Sequence, residues 1–422
     1  MMRSLWSAVS GLQTHQLEMD VIGNNIANVN TTAYKSQATG FQDVLYQTIK
    51  TGSAGSATKG STSADQVGLG AKMGSININI TKPGSAQTTY NPFDLMITGD
   101  SFFVVSESAN SPNQEKYFTR DGSFTIDAEG SLVTTNNGLY VNFIDGVGSI
   151  GGNAPLISEA TKTIAGSSTT EGYFKGNIDE NDPNVKEGKI LRLEVFGNDG
   201  EKYTLKFNIQ KEGTEVGVFS LTLQSVMDAE GKSISGVAQQ TVPLTYGKND
   251  GKLTSAETAN FDFGRGNISI DLTNTTNYAS PMGNHNSTIN GYRGNTKGLN
   301  QGYANGNMTG LSISDNGMIN AKYSNGQTVL LAQIVVAEFS NAMGLEKVGD
   351  NLYSASLNSG EPIYMDITED GGYMSSGVLE ASNVDLAKEF TDMITTQRGF
   401  QANSRVITTS DELLQVLKSL KR

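Results

Sequence analysis

Both ends of this 422-residue chain carry helical apolar spacing, and the long middle does not. From the amino end, apolar residues fall at Leu5, Val9, Leu12, Met19, Ile22 and Ile26, steps that lay one stripe along a helix. At the other end Leu386, Phe390, Met393, Phe400, Ile407 and Leu414 keep a repeat of seven, with polar Gln397, Ser404 and Asp411 in the same seam. Neither segment contains proline, and at 1.5 Å per residue they predict rods of roughly 35 to 40 Å and roughly 50 to 55 Å. Ser382 or Asn383 is expected to cap the second rod, with Asp385 and Glu389 near its positive end and Lys418, Lys421 and Arg422 near its negative end.

Stripes of this kind have to be covered. One reading packs the two ends on each other as an antiparallel pair inside one molecule. Trp6 and Ala8 on the first segment, and Ile394, Val406, Leu413 and Leu417 on the second, lie off the main seams. That is more apolar surface than two helices can hide from each other, so the stripes are expected to pack against neighbouring copies. Ser7, Gly11, Thr14 and Glu18 lie opposite much of the first stripe, and read either as an ordinary solvent face or as the lining of a central channel.

Between the ends the period changes. After Val29 comes NTTAYKSQ, then TGSAGSATKGSTSADQ from Thr51 to Gln66, whose composition predicts a linker or a flexible extended region. From Met73 the alternation of Ile76, Ile78 and Ile80 with Asn77 and Asn79 predicts a half-buried strand, and short strands follow through Leu95–Ile97, Phe102–Val105, Tyr117–Phe118 and Phe124–Ile126. Ile190 to Phe196 and Tyr203 to Ile209, joined by Asn198-Asp199-Gly200, predict a hairpin with Leu191, Leu193 and Val195 on one face. A second hairpin is expected at Asp315-Asn316-Gly317, between Ile313 and Ile319, and the middle reads as all-β.

Composition removes several function classes. Forty-three acids against thirty bases give −13 without a Lys/Arg cluster, so a nucleic-acid footprint is missing. Cysteine is absent, and His15 and His285 are the only histidines, which leaves little for thiolate, zinc or triad chemistry. Val329 to Ala337, interrupted by Gln333, is far short of the ~20 residues of a membrane span, and no cleaved signal peptide is expected. Gly68-Leu69-Gly70-Ala71-Lys72-Met73-Gly74 leads into a strand, so it does not read as a phosphate loop. Asp179, Glu180 and Asp182 read as a solvated loop, and Asp366, Glu369 and Asp370 as a turn beside Gly371-Gly372.

The segment SGLQTHQLEMDVIGNNIANVNTTAYK, Ser10 to Lys35, closely resembles the amino-terminal signature of the flagellar rod and hook axial proteins. Leu379 to Arg422 resembles the carboxy-terminal signature of the same family, with its Ser382-Asn383-Val384-Asp385 start and its Gln397-Arg398 and Gln401-Ala402-Asn403 runs. Asp94 to Val133 is similar to the family's first β segment. Gly310 to Gly360 most resembles the hook members, and the shorter rod members lack room for the central region from about residue 146 to 300. Two departures stand out. Ala33 occupies a place where the family commonly has Gly, and Ala resists positive φ. Some hook members are cross-linked through a cysteine, which this chain lacks.

The resemblance implies a mixed fold, with terminal α-helices forming a coiled-coil-like inner domain and two mainly β, barrel- or sandwich-like outer domains in one discontinuous chain. The helical part is assigned to 1–28 and 384–422, extended linkers to 29–72 and 375–383, a first β domain to 73–145 and 302–374, and an outer β domain to 146–301. It further implies a structural subunit, not an enzyme, with no cofactor and no metal. Such subunits polymerise into a curved, hollow helical tube, a universal joint that passes torque from rod to filament and forms part of the export channel. A distal rod subunit is the alternative. The implied partners are further copies of the chain, a flagellar rod protein, a hook-capping protein, a hook–filament junction protein and the flagellar type III export apparatus. The implied location is extracellular, at the hook and basal body.

Overall fold

The two apolar stripes form the rods expected of them. In a computed structural model, which describes residues 2–55, 59–108, 115–144, 150–151, 155–279 and 285–420, helix α1 spans Met2–Ala27 and helix α4 spans Leu386–Leu420. Two single helical turns, α2 (Glu159–Lys162) and α3 (Pro183–Glu187), interrupt the otherwise β middle. The cap of α4 is neither Ser382 nor Asn383 but Asp385, whose carboxylate accepts from the Ala387 and Lys388 amides at 3.0 and 3.3 Å. Asn383 is engaged elsewhere: it accepts from the Ser36 amide and donates to the carbonyls of Asn79 and Lys82.

The chain divides into two compact units. The first comprises Met1–Leu156, Ser312–Asn320 and Leu330–Arg422, the second Ile157–Leu311 and Ala321–Val329. The second unit therefore begins later and ends later than the 146–301 assigned from sequence.

In the first unit the expected linkers are strands. Gln37–Asp43 pairs antiparallel with Ala71–Ile78, and Tyr46–Lys50 with Asp65–Gly68, so the Gly/Ser/Thr-rich stretch sits in a long two-stranded arm whose residues 56–58 lie outside the described ones. Composition misled here because a ribbon's backbone bonds form whatever the side chains are. The Met73–Ile78 strand thus belongs to the arm, with Ile76 exposed; Ile80 is buried in a β core, and Ile78 packs partly buried against it. The 375–383 linker is likewise paired: Tyr373–Ser376 with Leu95–Thr98, and Val378–Glu380 with Ala86–Thr88. Beside them a nine-stranded sheet orders Glu346–Gly349, Leu352–Ser354, Lys116–Thr119, Phe102–Ser106, Tyr140–Val141, Leu132–Thr134 and Phe124–Ile126, with Val336–Glu338 and Ile363–Met365 joined to it through Phe102 and Phe103. Phe102, Phe118, Phe339 and Tyr353 meet edge to face in its core, at centroid distances of 4.7 to 6.1 Å.

In the second unit the expected hairpin forms, with Leu191 across from Phe207, Leu193 from Leu205 and Val195 from Tyr203. It continues as a meander through Val218–Met227 and Gln240–Thr245. A second sheet, Thr258–Asp262, Asn267–Asp271, Glu171–Asn177 and Asn290–Arg293, closes on it, and both contribute to one core. The Asp315-Asn316-Gly317 turn, which belongs to the first unit, also forms, with the Ser314 amide donating to the Met318 carbonyl and the Gly317 amide to the Ser314 carbonyl.

Two of the three acids read as a solvated loop, Asp179 and Asp182, are buried instead, and Glu180 is half-buried. Asp179 holds His285 at 3.1 Å, and Asp182 caps α3 while accepting from the Ser287 amide at 2.8 Å. A carboxylate can be buried where backbone amides replace its water.

Phe207 lies at 5.4 and 5.0 Å from the rings of Phe174 and Phe261 and is fully buried. Phe207→Ala should cost the second unit about 3 to 5 kcal/mol, checked by denaturant unfolding followed through near-UV circular dichroism.

Candidate assembly interface

α1 and α4 pack antiparallel. Asn25 donates to Glu389 at 3.2 Å; a methyl group at Gly399 would stand 2.7 Å from His15 Nε2, and one at Gly11 2.6 Å from Asn403 Nδ2. The glycines thus set how closely the rods approach. These three pairs share one register. On α4 its centre is the seven-residue series Glu389, Thr396, Asn403 and Ser410, of which Glu389, Thr396 and Ser410 are the helix's only buried residues among those described. On α1 the matching face carries Asn25, Gly11, His15 and Ala8. The helix pair is therefore cemented by small and polar groups, and the recurrence of Glu389, Thr396, Asn403 and Ser410 is the signal that apolar spacing overlooked.

The apolar series runs along the flanks. Of the twelve seam residues only Ile22 is fully buried; Leu5, Leu12, Met19, Ile26, Met393 and Ile407 are half-buried, while Val9, Leu386, Phe390, Phe400 and Leu414 are exposed. Trp6 is 69% exposed, and Ile394, Val406, Leu413 and Leu417 are exposed with it. The antiparallel pair thus forms within one molecule and leaves most of the apolar surface uncovered.

The channel-lining reading fails for two of its four residues. Gly11 faces Asn403, and Thr14 is buried, donating to the carbonyls of Ser10 and Ala71. The physical reason is the arm: strand Ala71–Ile78 lies on this face of α1, where small residues admit it. Ser7 is half-buried, and Glu18 pairs with His15 at 3.1 Å. His15 also meets the Phe41 ring edge-on at 6.2 Å. The Gly68–Gly74 run packs against α1, where a methyl group at Gly70 would meet Ser10 and Ser7, and leads into strand Ala71–Ile78.

At the foot of the pair is a polar junction that sequence reasoning missed altogether. Asn25, 1% exposed, accepts from the Gln37 amide at 2.9 Å and donates to the Gln37 carbonyl at 2.8 Å, while the Tyr34 hydroxyl donates to it at 3.3 Å. Lys35 and Glu380 form a wholly buried ion pair at 2.7 Å, and the Lys35 ammonium also donates to the Lys82 carbonyl. Burial pulls Lys35 below its ordinary value, against the pull of Glu380. Asn351 donates to the Thr32 carbonyl and Lys347 to the Lys35 carbonyl, tying the same turn to the nine-stranded sheet. Ala33 sits in this turn at φ +54°, buried, its amide donating to the Glu380 carbonyl at 2.7 Å. The backbone therefore keeps the left-handed conformation that glycine favours, held by its surroundings.

Among the described residues no group of three His, Asp or Glu side chains could hold a metal ion, and no helix is long and apolar enough to cross a membrane.

Comparison with known proteins bears on this architecture. Residues 5–35 match the family described as flagella basal body rod protein, residues 96–162 the flagellar hook protein FlgE/F/G D1 domain, and residues 375–420 the flagellar basal body rod FlgEFG protein C-terminal region. The chain is 34% identical to the flagellar hook protein FlgE of Borreliella burgdorferi, over all of both chains. It is 30% identical to the flagellar basal-body rod protein FlgG of Bacillus subtilis, again over all of both. The crystal structure of the Helicobacter pylori flagellar hook protein FlgE2 aligns with 71% of this chain and all of its own, at 15% identity and a TM-score of 0.48. The chain belongs to the family of flagellar hook and basal-body rod proteins. Within it, the full-length similarities place it with the hook subunits, and the rod reading is the weaker one.

Two outcomes follow from the junction. Burial, helped by Asp392, pushes the Glu389 carboxyl up, against the hydrogen bond from Asn25. The folded chain then holds a proton that the unfolded chain has lost, so this group's contribution to stability falls as pH rises above the ordinary value of 4.5. Glu389→Gln keeps the acceptor for Asn25 and should stabilise the helix pair at neutral pH while flattening that slope, as read from thermal unfolding between pH 4 and pH 7. Lys35→Met leaves Glu380 buried without its partner and should cost about 3 to 5 kcal/mol, measured by urea unfolding.

Proposed function

We propose that many copies of this chain polymerise through their terminal helices into the curved, hollow tube of the flagellar hook, a flexible joint that passes torque from rod to filament. One observation carries the reading: α1 and α4 spend their polar and small residues on each other and leave Phe390, Phe400, Leu414 and Trp6 uncovered. Helices with that surface are stabilised by further packing, and copies of the same chain offer it at the concentration of an assembling polymer. A contact between two different patches, repeated from copy to copy, does not close, and so generates a helical filament.

In this polymer the helix pairs form the inner wall around the export channel, and the β parts lie outside, where Asn-, Ser- and Thr-rich surfaces make hydrated contacts able to slide as the tube bends. The rod below, a capping protein during growth, the hook–filament junction proteins above and the type III export apparatus are its partners. The role is structural, not enzymatic. The Bacillus rod relative supplies the second reading, a distal rod subunit, which negative-stain microscopy distinguishes by straight tubes in place of curved ones.

Phe400→Asp places a charge on the uncovered flank of α4 without touching the polar row. The variant should remain monomeric at concentrations where the unaltered chain sediments as polymer, with its β circular dichroism unchanged. Normal tubes from this variant would overturn the helix-flank mechanism.

A further inference from the structure

α4 outruns α1. The register set by Asn25 with Glu389 and by Gly11 with Asn403 places residue 2 across from about residue 412, so among the described residues nothing of α1 lies opposite 413–420. The side chains change at the same point. The position that carries Glu389, Thr396, Asn403 and Ser410 along the paired part becomes Leu417 one repeat later, and Leu413 and Leu420 join it at helical spacing. All three are exposed. Two turns of helix thus present an apolar ridge exactly where the partner helix is missing.

The same unit holds a groove of that character. Trp6, Val9, Val44 and Leu69, rimmed by Arg3 and Gln13, line a cavity of about 540 Å³ between α1 and the arm. A chain cannot fill its own groove with its own ridge. α4 is unbroken through Leu420, and the register puts about residue 408 across from Trp6, so Leu417 lies some nine residues, roughly 13 Å, further along the axis.

We infer that the Leu413–Leu417–Leu420 ridge of one copy docks in the Trp6 groove of a second copy, an inference that rests on the polymer reading above and names its contact. A second copy is the occupant because every copy in the polymer carries both patches, and each patch is left uncovered in its own chain. Ridge and groove are different patches of one chain, so the contact is heterologous and propagates from copy to copy.

The chain has no cysteine and a single tryptophan, Trp6, which makes the test direct. On assembly of the unaltered full-length chain, tryptophan emission should move to shorter wavelength and acrylamide quenching should fall several-fold. Full-length Gln13→Cys and Leu417→Cys chains, assembled together and mildly oxidised, should give a mixed disulfide dimer, and Leu417→Ala should raise the concentration needed for assembly roughly tenfold or more. Tubes in which Trp6 stays as open to quencher as in the monomer, or in which assembled Cys variants give no mixed disulfide, would overturn the ridge-and-groove contact and leave the polymer reading standing. If Leu417→Cys prevents assembly, the tryptophan measurement on the unaltered chain decides alone. A full-length chain that forms no polymer under any assembly condition would overturn both.

Discussion

The contact between α1 and α4 is the constraint on which the rest depends, and its chemistry is inverted relative to an ordinary helix pair. A pair that stands alone buries its apolar rows and leaves polar ones to solvent. Here Glu389, Thr396, Asn403 and Ser410 occupy the centre, Gly11 and Gly399 allow close approach, and the apolar rows are pushed to the flanks. Such a pair has a defined register but little hydrophobic stabilisation of its own. Polar groups at a helix seam fix register at a cost in stability, and that cost is recovered when the flanks are covered.

The junction at the foot of the pair answers a second mechanical need. A rod that joins a polymer has to be held firmly at its base. The turn from Thr31 to Gln37 is gripped from α1 by Asn25, from the strand before α4 by Glu380, from the loop after it by Asn383, and from the sheet by Asn351 and Lys347. Each of these bonds is directional and buried or half-buried, so the turn has few alternative arrangements. Ala33 is tolerated at positive φ for this reason. Replacing it by the glycine common in the family relieves backbone strain of about 1 to 2 kcal/mol but removes a buried methyl worth about 0.8, two effects that nearly cancel.

Much of this was legible in the sequence, and the misses share a cause. Periodicity revealed both terminal rods and the hairpin with Leu191, Leu193 and Val195 on one face, because burial of an alternating or helical row is a local property of the chain. It could not reveal the arm, since the pairing of Gln37–Asp43 with Ala71–Ile78 joins backbone groups as far apart in the chain as Gln37 and Ile78. It misplaced Asp179 and Asp182, whose burial depends on Ser287 and His285, a hundred residues away. It took Gly11 and Thr14 for open surface because small polar residues look alike on a solvent face and in a tight crossing.

The sequence by itself determined that the chain ends are apolar-striped helices around a β middle, and that their stripes exceed what two helices can hide. Both conclusions follow from spacing along one strand of covalent bonds. Only the tertiary structure decided which rows meet inside the molecule and which remain for neighbours, because that choice is made by register. The bonds that set the register, Asn25 to Glu389 and Lys35 to Glu380, join residues more than three hundred positions apart.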